Sequence, residues 1–91
     1  MSLAPGYWMW ETSGVLRPAV EAYLNSEPMT SEQIAAMRAY LRQWIEADWM
    51  AMPGAQQRIL DNLRAMVDGL VSRETLSIWL MQAEAFGIDP L

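Results

Sequence analysis

Any catalysis by this chain would have to rest on carboxylates, guanidinium groups, hydroxyls and phenols. Its 91 residues include no histidine and no cysteine. The commonest general base, the commonest metal ligand and every thiol are therefore missing. Lysine is missing too, because all six cations are arginines: Arg17, Arg38, Arg42, Arg58, Arg64 and Arg73. That excludes Schiff-base chemistry and the lysine of a phosphate loop. Glu46 and Asp48 are the closest acids in sequence, but on a helix they point about 200° apart and cannot act as a pair. Glu11, Glu21, Glu32 and Glu84 have no partner at a useful spacing and read as solvated surface charges. No group of acids has the spacing of a calcium loop. The sequence predicts no catalytic residue, no metal site and no cofactor, so the protein is not expected to be an enzyme.

Two polar features remain. Arg38 and Arg42 lie one helical turn apart, with Glu46 a further turn on. They read as a surface charge row with an Arg42–Glu46 pair, or as a fork for a carboxylate or phosphate. Asp48 falls on an apolar stripe between Trp44 and Trp49. It is a residue clear of the core, a cap for the next helix start across Pro53, or a semi-buried acid bound to an arginine or an indole N–H, because unpaired burial would cost too much.

Eleven acids against six arginines give a net charge of −5. The arginines are scattered, and the net field repels phosphate backbones and anionic headgroups. Neither nucleic acid nor a membrane is an expected partner. No stretch approaches 18 consecutive apolar residues, so no membrane-spanning helix is predicted. The first residues lack the basic region of a signal peptide, which makes a cytoplasmic location the expectation.

The elements that position these residues are helical. With 53% hydrophobic residues, 91 residues can build one core without staples. The expected fold is all-α: one domain, residues 1–91, a compact bundle of about four helices with an extended aromatic N-terminal arm. Residues 1–12 form the arm, and the helices are expected at about 14–25, 31–50, 55–69 and 73–86. In the arm, Pro5-Gly6 signals a turn, and an extended course would put Trp8 and Trp10 on one side.

The first helix has Thr12 or Ser13 as its expected cap and Val15, Leu16, Ala19, Val20, Tyr23 and Leu24 as its apolar set. Pro18 is tolerated only in a first turn, so the regular helix is expected to begin near Arg17. The second helix has the clearest start, with Thr30 and Gln33 as a capping box and Met29 and Ile34 as a hydrophobic staple. Its stripe is Ile34, Met37, Leu41, Trp44 and Ile45. The third helix buries Ile59, Leu60, Leu63, Met66, Val67 and Leu70, and Arg64 and Asp68 are spaced as an i, i+4 pair. The fourth starts at Ser72, with Val71 and Leu76 as a second staple. It stops at Gly87, with Ile88 as the hydrophobic follower.

The fourth helix is apolar on two sides. Its main stripe is Leu76, Trp79, Leu80, Ala83 and Phe86. Nearly opposite lie Ile78, Met81 and Ala85. A helix of this kind is either central in its domain or buried against a partner. Either the aromatic arm covers the second stripe, or the stripe and the arm form an interface. On the second alternative, the interface residues are Trp8, Trp10, Trp49, Ile78 and Met81.

The expected function is a small soluble interaction or adaptor domain, with a protein partner or itself as a homodimer. The alternative is an acidic inhibitor or nucleic-acid mimic that blocks a basic partner, although its acids are dispersed rather than arrayed. A helix-turn-helix reading fails because the recognition helix would carry Arg73 as its single cation beside an apolar outer face.

Overall fold

The longest helix begins where the sequence supplies a reciprocal cap. The Thr30 N–H donates to the Gln33 side chain at 2.9 Å, and the Gln33 N–H donates to the Thr30 hydroxyl at 3.1 Å. Met29 and Ile34, the two staple positions, both pack against the core. The computed structural model of the chain describes Leu3 and residues 6–11, 14–51 and 57–91, with 48–51 described by their helical backbone alone.

Within these residues the chain is an all-α bundle of four helices, with no strand: α1 (Leu16–Leu24), α2 (Ser31–Ala51), α3 (Gln57–Met66) and α4 (Arg73–Ala85). One 3-10 turn, Tyr7–Trp10, precedes α1, and another, Val67–Gly69, extends α3. Pro18 falls in the first turn of α1, where its missing N–H costs no helical bond. Val15 holds the N-cap position without a side-chain bond. Thr12 and Ser13, the expected caps, lie outside the described residues.

Helix α2 is the centre of the bundle, touching α1, α3 and α4. It contributes Met37, Tyr40, Leu41, Trp44 and Ile45 to a core completed by Val20, Leu60, Leu63, Val67, Leu70, Leu76 and Trp79. Trp79 is fully buried, and its indole N–H donates to the Leu63 carbonyl at 2.8 Å. That bond satisfies the polar atom that makes tryptophan difficult to bury, and it ties α4 to α3.

Both ends of α4 are closed by local bonds. Ser72 and Thr75 form a capping box, with Thr75 in the N3 place more often held by glutamate or glutamine. At the other end, the Ile88 N–H reaches Ala83 O and the Gly87 N–H reaches Glu84 O. Gly87 is left-handed with φ of 82°. This is the C-terminal motif expected from Gly87 and Ile88, and Ile88 is buried. Helix α1 ends in the same way, but a serine holds the left-handed place: Ser26 has φ of 57°.

The structure differs from the sequence reading at four places. Val71 is exposed, so the second staple does not form. Leu70 before it is in the core, as expected, and its carbonyl accepts from Arg38 at 2.9 Å. Leu24 and Phe86 are also exposed. The arm is a 3-10 turn over Tyr7–Trp10 rather than an extended strand of chain. At about 120° per residue, that turn sends Trp8 and Trp10 to different sides. Finally, the charge row exchanges partners between helices. Arg42 pairs with Asp68, and Glu46 accepts from Arg64 at 2.5 Å. The pairs expected within single helices, Arg42–Glu46 and Arg64–Asp68, give way to these cross-helix pairs because α2 and α3 run antiparallel in matching register. The row is a clamp between helices, not an anion fork.

Candidate functional site

The outward side of α4 follows from the 100° step per residue. Leu76, Trp79, Leu80 and Ala83 point into the core and are buried. The opposite line is Glu74, Ile78, Met81 and Ala85, all exposed. Ile78 retains 53% of its surface and Met81 retains 67%. Phe86, at the C-cap of α4, retains 48%.

This ridge stands between two grooves. On the α3 side lie two clefts along one seam. The first, about 340 Å³, is lined by Ala65, Met66, Gly69, Leu70, Thr75 and Ile78. The second, about 370 Å³, is lined by Ile59, Asn62, Leu63, Gln82, Ala85 and Phe86. Among the described residues, no charged one lines either cleft. On the α1 side, a cleft of about 190 Å³ includes Tyr23, Leu24, Met81, Glu84 and Asp89.

An arginine ties the start of α4 to the end of α1. The Arg73 guanidinium donates to the carbonyl of Glu27 at 2.5 Å and to the carbonyl of Tyr23. It also lies over the Tyr23 ring, 5.2 Å from the centroid. The carbonyls at the end of α1 are short of helical donors, and a cation there also suits the helix dipole. Sequence reasoning treated Arg73 only as a poor DNA contact. Its partners lie about fifty residues away, so no local pattern could have signalled this role.

The described part of the arm packs on α1 and leaves Ile78 and Met81 uncovered. Of the five residues expected at an interface, Ile78 and Met81 share the α4 ridge. Trp10 is 80% exposed on the separate 3-10 turn. Trp8 turns inward against the core, and its buried indole N–H meets no acceptor among the described residues. The side chains of Trp49 and Asp48 lie outside the described residues. The sequence reading places Ile59 and Phe86 in the core. Ile59 does pack against it, whereas Phe86 is exposed, and the antiparallel placement of α3 beside α4 puts the two along one seam.

Tyr40 is buried and donates its hydroxyl to the Pro90 carbonyl at 2.5 Å. Burial pushes its phenol up to about 12, with Asp89 and Tyr7 adding to the rise and a Trp8 backbone hydrogen bond opposing it. A cleft of about 260 Å³ near Tyr40 holds one acid, Glu11, beside Gln43. Among the described residues, no group of three or more acids, histidines or cysteines could hold a metal ion. Among the same residues, no helix is long and apolar enough to cross a membrane. Comparison of the chain with family models, curated proteins and solved structures found no match.

Proposed function

We propose that this chain is a small helical protein–protein interaction or adaptor domain without catalytic activity, and that the outer face of α4 is its contact surface. The observation that carries this reading is the exposure of Ile78 and Met81 on one side of a helix whose other side is buried. Contiguous apolar surface of this kind is uncommon on a protein that works alone. Methionine and aromatic side chains are also the types enriched at contact surfaces. The uncharged clefts beside the ridge supply concave apolar surface for a partner's side chains. The acidic-mimic alternative gains less support, because Glu21, Glu46 and Asp68 are already paired with arginines of the same chain.

The test is a photo-crosslinking side chain placed at Met81 of the full chain in the cells that express it. A protein adduct is expected at Met81, and much less at Glu32, an exposed position on α2. Equal labelling at the two positions would overturn the reading.

A further inference from the structure

We infer that the occupant of the α4 face is a second copy of this chain, with the two α4 helices antiparallel across a two-fold axis. This rests on the reading of α4 as a contact surface and names its partner. The order of charge along the face points to this occupant. In its middle, Ile78, Met81, Gln82 and Ala85 of α4 and Asn62 and Ala65 of α3 carry none. Glu74 stands at one end, one turn before Ile78. Arg58 stands at the other, one turn before Asn62 on the α3 wall. Both are exposed. The clefts pair Ile59 and Asn62 with Ala85, and Ala65 with Ile78. The two helices therefore run antiparallel, and the acid and the cation sit at opposite ends.

A face with an acid at one end, a cation at the other and an apolar middle is complementary to its own copy turned end for end. The register that places Ile78 of one copy against Met81 of the other also places Glu74 against Ala85. Glu74 then reaches the end of the seam where Arg58 of the other copy stands, and the two-fold repeats the pair. The contact spans about 16 Å of α4, from Glu74 to Ala85 at about 1.5 Å per residue. The remaining acid of α4's second half, Glu84, lies on the flank toward α1. Keeping charge out of the middle matters here. Each copy carries −5, so association must rely on an uncharged patch with local complementarity.

Sedimentation of the purified full chain across a dilution series tests this, with charge reversals as the discriminating variants. A monomer–dimer equilibrium is expected. Arg58→Glu alone, or Glu74→Arg alone, should weaken the dimer on the order of tenfold at low salt, as two rim pairs turn repulsive. The double reversal should restore most of the affinity, because it rebuilds both pairs with exchanged signs. Both positions are exposed, and circular dichroism of each variant checks the fold. A chain that stays monomeric at every concentration would overturn the second copy as occupant. A Met81 adduct with another protein would in that case leave the contact-surface reading standing. A dimer that both single reversals weaken but the double does not restore would overturn the antiparallel arrangement.

Discussion

Ile78 and Trp79 are neighbours in sequence with opposite placements. Trp79 is fully buried with its indole bonded to Leu63, whereas Ile78 retains 53% of its surface. Substitution should separate them. Trp79→Ala should cost about 3–5 kcal/mol of stability, as expected for a large aromatic removed from a core. Ile78→Glu should change stability by about 0.5 kcal/mol or less. Urea unfolding of the two variants at a concentration where the chain is monomeric checks this. A large loss in Ile78→Glu would place Ile78 inside the fold.

Tyr40 should make stability fall in strong base. Its phenol is raised to about 12 in the folded chain, against about 10 when unfolded. A raised phenol favours the protonated form in the fold. Its contribution is therefore complete below pH 10 and is lost as the pH climbs from about 10 through 12. The shift corresponds to about 3 kcal/mol between those limits. Tyr40→Phe should flatten that part of the profile. At pH 7 it should cost about 1–3 kcal/mol, because the Pro90 carbonyl loses its donor. Thermal melts between pH 7 and 12 read both effects.

Ser26 holds a left-handed conformation, with φ of 57°, at the end of α1. Glycine adopts this conformation without the Cβ clash. Ser26→Gly should therefore stabilise the chain by about 0.5–1 kcal/mol, less whatever the looser unfolded chain recovers. The urea midpoint should rise, and a fall would mean that the serine hydroxyl matters more than the backbone geometry.

Arg73 should resist replacement by lysine. Its planar fork reaches several carbonyls at the end of α1 and lies over Tyr23. A lysine carries the same charge but cannot span them. Arg73→Lys should cost about 1–3 kcal/mol by urea unfolding, close to the cost of Arg73→Gln. Equal stability of Arg73→Lys and the parent chain would show that charge alone suffices.

Local features of the fold were legible in the sequence. Thr30 with Gln33, and Gly87 with Ile88, act within one turn of chain, so their residue types specify the geometry. The face of α4 that carries Ile78 and Met81 also follows from the helical repeat. Features that depend on how helices meet were not legible. The exchange of partners among Arg42, Asp68, Glu46 and Arg64 needs the register of α2 against α3. The apolar seam needs Ile59 beside Phe86, which only the antiparallel α3–α4 arrangement supplies. Trp8 and Trp10 were misplaced for a different reason. A two-residue period was applied to a segment that turns by about 120° per residue.

The most direct test of the α4 face is methyl NMR on methionine-labelled chain, recorded while the protein is concentrated. The methionines report from different places: Met81 from the ridge, Met9 from the 3-10 turn and Met37 from the core. The Met81 methyl should shift with concentration, while Met9 and Met37 stay fixed. A spectrum independent of concentration at all three would contradict self-association, and movement of Met9 without Met81 would put the contact on the aromatic turn instead of α4.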